Sequence, residues 1–85
     1  MDAVDKYVVK TALETLRAAG GTGATKGALL KVMALAAPTV VSQDILEEGF
    51  QLLKERGWID SHLDGVWHEQ RWALTERGLT ALEGM

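Results

Sequence analysis

The stretch from Leu53 to Leu79 constrains the fold more than any other part of the chain. A segment of helical spacing stops at Gly57, and a hairpin pattern follows with no linker: Trp58-Ile59-Asp60-Ser61-His62-Leu63, then Asp64-Gly65, then Val66 to Leu74. Glycine just past a helix supplies the left-handed residue that ends it, and Asp-Gly between two extended runs is a two-residue turn signal. The second run enters Leu74-Thr75-Glu76-Arg77-Gly78-Leu79, where Thr75 is placed to cap a short last helix carrying Leu79, Leu82 and Met85. A helix, a hairpin and a helix that abut one another leave few ways to enclose a core.

Closing a type I′ turn at Asp64-Gly65 pairs Leu63 with Val66, His62 with Trp67, Asp60 with Glu69 and Trp58 with Arg71. That register puts Ile59, Leu63, Val66, Trp72 and Leu74 on one face and Trp58, Asp60, His62, Trp67, Glu69 and Arg71 on the other. The apolar face is the core face, at the mild cost of two carboxylates opposed. Trp72 reads as core, and Trp58 opposite Arg71 as a candidate cation–π pair. Trp67 has two readings: a side chain that enters a groove or a partner's pocket, or one that covers a thin ribbon. Trp67→Ala separates them, because a contact residue costs binding and a core residue costs stability as well.

Upstream, the periodicity predicts three helices. Between about Asp2 and Ala19, Val4, Val8, Val9, Ala12, Leu13, Leu16 and Ala19 share one arc and Lys6, Lys10, Glu14 and Arg17 the other, with Tyr7 off the apolar arc and at least partly exposed. Gly20-Gly21-Thr22-Gly23-Ala24 breaks this helix; it reads as a plain connection, since Lys26-Gly27 reverses the order a phosphate-binding loop needs. Thr25 caps a second helix, which Pro38 stops at about Ala36 or Ala37. Leu29, Leu30, Val32, Met33, Leu35 and Ala36 surround it and leave Lys31 as its polar stripe, so it must be buried on more than one side. Either the rest of the domain covers it completely, or one side meets a second copy, with Tyr7, Leu29, Val32 and Leu35 as the contact candidates. A third helix starts at Thr39 or Ser42 and runs to about Arg56, with Val41, Ile45, Leu46, Gly49, Phe50, Leu52 and Leu53 on its core arc.

Composition bounds what such a chain does. Its 85 residues form one domain over 1–85, with a single modest core. Zero cysteines exclude disulfides and thiolate chemistry. No apolar run approaches the roughly 18 residues of a membrane span, and Met1-Asp2-Ala3-Val4-Asp5-Lys6 lacks the layout of a secretory signal, so a cytoplasmic location is expected. No nucleophile elbow, phosphate loop or dinucleotide fingerprint is present. Glu47 and Glu48 diverge by about 100° on a helix and form no carboxylate dyad. His62 and His68 fall on opposite faces without a third ligand, so no metal, cofactor, small-molecule substrate or enzymatic activity is expected.

The order helix, helix, turn, helix, two-stranded wing and closing helix, with Gly57-Trp58-Ile59 before the wing and Leu74-Thr75-Glu76-Arg77-Gly78-Leu79 after it, resembles a minimal winged helix-turn-helix domain. The likeness is to small bacterial and archaeal regulators and to short phage-encoded proteins, and it is best over Ser42 to Leu82. It implies a mainly α fold with a small β-hairpin, a third helix that enters the major groove of double-stranded DNA, and a wing that touches the backbone. Ser42, Gln43, Asp44, Glu47, Glu48, Gln51 and Lys54 would then face the groove. Lys26 and Lys31, with His62, Trp67, His68 and Arg71 of the wing, would meet phosphates.

Charge departs from that pattern. Nine Lys and Arg against twelve Asp and Glu give a net charge of −3, and the third helix's outer arc alone sets Asp44, Glu47, Glu48 and Glu55 against Lys54. Carboxylates near phosphates oppose binding, although one can accept from cytosine N4. Two functional readings follow: a non-enzymatic, dimeric DNA-binding regulator, or a winged-helix module for protein contact that uses the acidic third helix or the wing aromatics.

Overall fold

A computed structural model describes residues 6–37, 40–63, 65–66 and 68–85. Asp2, Val4, Pro38, Thr39, Asp64 and Trp67, on which parts of the sequence reading rest, lie outside them. The elements in order are α1 (Lys6–Ala19), a 3₁₀ turn (Gly20–Thr22), α2 (Lys26–Ala36), α3 (Gln43–Glu55), β1 (Ile59–Leu63), β2 (Gln70–Leu74) and α4 (Glu76–Glu83). The described chain is therefore mainly helical with one two-stranded antiparallel sheet.

Helices α2 and α3 are bounded by the residue types that the sequence offers. The Thr25 hydroxyl accepts from the Ala28 amide at 3.2 Å and opens α2; Ser42 does the same for Ile45 at 3.3 Å and opens α3. At the other end of α3, the amide of Gly57 donates to Lys54 O (3.0 Å) and that of Trp58 to Leu53 O (3.1 Å), with Gly57 at φ 70°. This is a Schellman closure, and it satisfies two carbonyls that the helix itself leaves open.

The core is built from one stripe of each helix. Val8, Val9, Ala12, Leu13 and Leu16 of α1 meet Leu29, Leu30 and Met33 of α2, Leu46, Phe50 and Leu53 of α3, and Ile59, Trp72 and Leu82. Phe50 and Trp72 meet edge to face, with ring centroids 5.0 Å apart and planes at 88°, the arrangement favoured by the ring quadrupoles. Leu29 is wholly buried, so it belongs to this core and is corrected out of the oligomer candidates. On α2 it is Leu35 that points outward, at 78% exposure, while Val32 is half-buried. α1 and α3 both pack on α2 and bury Leu29, Leu30 and Met33, while Lys26, Gly27, Ala28, Lys31, Ala34 and Leu35 stay exposed.

The hairpin register differs from the sequence expectation. Ile59 pairs with Leu74, Asp60 with Ala73, Ser61 with Trp72, His62 with Arg71 and Leu63 with Gln70, four residues away from the register of a turn closed at Asp64-Gly65. A shift by an even number keeps every side chain on its face, so Ile59, Trp72 and Leu74 still face inward. The shift also replaces the Asp60–Glu69 opposition by Asp60 against the neutral Ala73. β1 ends at Leu63 and β2 begins at Gln70, four residues later than the Val66 of the sequence expectation. Val66, expected on the core face, is 76% exposed, and Leu63 reaches past the core edge at 67%. Trp58, expected on the outer face, is half-buried against the core because it precedes the strand. Arg56, at 5.4 Å from its ring, takes the place expected for Arg71, which instead pairs with Glu69 at 3.2 Å.

The glycine-rich connection is more than a linker. Ala24 exchanges two backbone hydrogen bonds with Trp72, at 2.8 and 2.7 Å, so β2 is paired on both edges and β1 on one. Gly23, at φ 71°, makes this approach possible, because a Cβ there would overlap the Trp72 carbonyl.

Candidate functional site

The outward arc of α3 forms the centre of the site. Gln43, Asp44, Glu48, Gln51 and Lys54 are exposed, as is Ser42 at the helix start, where its hydroxyl is already engaged as the cap. The opposite side of the same helix is spent on the core through Leu46, Gly49, Phe50 and Leu53. The outward arc is therefore backed by core packing along the whole helix.

Two helices meet along one edge of this arc. A groove between α2 and α3 is lined by Gly27, Leu30, Lys31, Ala34, Gln43 and Leu46. Lys26 bridges the same two helices: its Nζ lies 2.7 Å from Glu47 Oε2, and 5.3 Å from the centroid of the Phe50 ring. The other carboxylate oxygen of Glu47 accepts from Gln43 Nε2 at 3.4 Å. The hydrogen bond from Lys26 holds the Glu47 carboxyl below its ordinary pKa; desolvation opposes it, and the charge of Lys26 and the hydrogen bond from Gln43 add smaller help. Lys26, expected as a phosphate contact, is thus already engaged by an acid of the helix beside it.

Lys54 lies at the other end of the arc, with Nζ 5.4 Å from the centroid of the Trp72 ring. Phe50 and Trp72, in contact with each other, each carry a lysine over one ring. On β1 and β2, His62 is exposed and stands opposite the half-buried Arg71, and His68 is exposed in the connecting loop at φ 55°. His62 reaches toward the glycine-rich connection, its Cε1 3.4 Å from where a Cβ on Gly23 would lie. The arrangement thus brings together α3, the start of α2 and the first strand, while Trp67 falls outside the described residues.

Of the remaining oligomer candidates, Tyr7 is exposed on α1 and Leu35 on α2. Among the described residues no group of three or more His, Asp or Glu side chains is placed to hold a metal ion, and no helix is long and apolar enough to cross a membrane.

Sequence reasoning missed two features of this region. One is the Lys26–Glu47 pair, whose members lie on different helices and share no local pattern. The other is the strand-like role of Ala24, a single residue beside glycine with no alternation to betray it. Compared with known protein families, curated proteins and solved structures, the chain finds no match.

Proposed function

We propose that the chain is a winged-helix module that binds double-stranded DNA, with α2 and α3 as the helix-turn-helix, α3 in the major groove, and β1, β2 and their loop as the wing. The observation that carries this reading is the uncovered polar arc of α3, flanked by the lysines of α2 on one side and by the paired strands on the other. Pairing of Ala24 with Trp72 supports it as well, since it ties the hairpin to the start of α2 and gives a rigid frame for both. Gln43, Gln51 and Lys54 supply groove donors, and Lys31, His62, His68 and Arg71 the backbone contacts. In this reading the module works inside the cell, as a dimer that associates through Leu35, Val32 and Tyr7.

The second reading, a protein-contact module, draws on one observation: Asp44 and Glu48 stand exposed on the arc that would face phosphate. A fluorescence-anisotropy titration with random-sequence duplex at low and moderate salt, with light scattering on the same sample, decides between them. Salt-sensitive binding by a dimer upholds the regulator; no binding at low salt transfers the arc to a basic protein partner.

A further inference from the structure

We propose that Glu47 is a built-in competitor for phosphate at Lys26, so that this one carboxylate sets how tightly, and with what salt dependence, the α2–α3 face meets a polyanion. The inference rests on the DNA-binding reading and adds to it the residue that tunes it.

The geometry is that of an occupied anion contact. A carboxylate oxygen 2.7 Å from an ammonium nitrogen does what a phosphate oxygen would do at the same place. Each partner has a further contact. Glu47 is engaged through both oxygens, by Lys26 and by Gln43, and the Lys26 ammonium is also held near the face of Phe50, itself locked edge to face against Trp72. The pair is nevertheless reachable, with side-chain exposures of 45% for Lys26 and 43% for Glu47. An ion pair this exposed is weak enough for a strand of phosphates to displace it. Displacement has two consequences: the Lys26 contact is gained only by breaking the internal pair, and the released carboxylate stays beside the incoming phosphate. Both lower affinity, and both vanish when Glu47 loses its charge.

The test is an anisotropy titration of a short random-sequence duplex across about 50 to 200 mM salt, run for the wild type, Glu47→Gln, Lys26→Gln and the double variant, with thermal melts to establish that all four fold. Each phosphate contact contributes about 0.9 to the slope of log affinity against log salt. Glu47→Gln is expected to bind more tightly at low salt and to steepen the slope by about that amount, an extra loss of about 3.5-fold over a fourfold rise in salt. In the Lys26→Gln background the same substitution should leave the slope unchanged. Equal slopes for the wild type and Glu47→Gln, or an equal gain from Glu47→Gln with and without Lys26, would overturn the proposal while leaving DNA binding intact. Absence of binding by all four proteins at the lowest salt would remove the DNA-binding reading and this inference with it.

Discussion

Thr75 shows how much one side chain holds in a chain this short. Its hydroxyl accepts from the Gly78 amide at 3.0 Å, capping α4, and donates to the Gly57 carbonyl at 2.6 Å, where α3 has just ended; its own amide donates to Trp58 O at 3.0 Å. Gly78, three residues on, is packed so close to the Trp58 carbonyl that a Cβ would overlap it. The Leu-Thr-x-x-Gly element is therefore a clasp between the end of α3 and the start of α4. Thr75→Val keeps the volume and removes the hydroxyl, and should lower the unfolding free energy by about 1–2 kcal/mol in a urea titration. Gly23→Ala should cost about 1–3 kcal/mol in the same measurement, since it combines a left-handed φ with a clash against Trp72 O. Glu47 has a pH signature of its own. Its carboxyl is held down by Lys26, so the pair's contribution to stability is present above the carboxyl's unfolded pKa and is lost as pH falls through the lower folded one. In an NMR titration Lys26→Gln should move the Glu47 midpoint upward.

At the scale of elements, the third helix and the hairpin behave differently. Helical periodicity assigned α3 its two sides, and the structure buries Leu46, Gly49, Phe50 and Leu53 and leaves Gln43, Asp44, Glu48 and Gln51 out. Changing Gln51 to Ala should accordingly leave stability within about 0.5 kcal/mol in a urea titration, and on the proposed DNA-binding reading it should lower duplex affinity in the anisotropy titration. The inward face of the hairpin was legible at Ile59, Trp72 and Leu74, but not at Trp58, Leu63 or Val66, and its register was not legible. A two-residue turn signal is local, whereas the choice between registers four residues apart depends on where Trp72 meets Ala24 and where Ile59 and Leu74 meet the helices. The observed pairing has a direct check in a chain without cysteines. Trp72 spends its amide and carbonyl on Ala24, so Leu63 and Gln70, two residues away on each strand, form a non-hydrogen-bonded pair with Cα atoms about 4.5 Å apart. Leu63→Cys with Gln70→Cys should therefore form a disulfide on air oxidation, seen as a loss of free thiol by mass spectrometry. Retention of both thiols would favour the register closed at Asp64-Gly65.

At the scale of the whole molecule, net charge and local geometry pull in opposite directions. A chain of charge −3 is repelled by a polyanion at long range, so any binding must come from a few short contacts. The exposed Leu35 at the far end of α2 is the side chain to change if the molecule associates with itself: Leu35→Glu should yield a monomer by light scattering without loss of helicity. By itself the sequence determined the helices and the caps of α2, α3 and α4, because helical spacing, Thr25, Ser42 and Thr75 as caps and Gly57 as terminator act through neighbours only a few residues away. It likewise separated the inner from the outer arc of α3. What only the tertiary structure decided are the relations between distant residues: Leu29 in the core, Ala24 as a second partner for β2, the hairpin register, and Lys26 on Glu47. Those follow from how helices and strands fill a common volume, and no pattern within any one element carries that information.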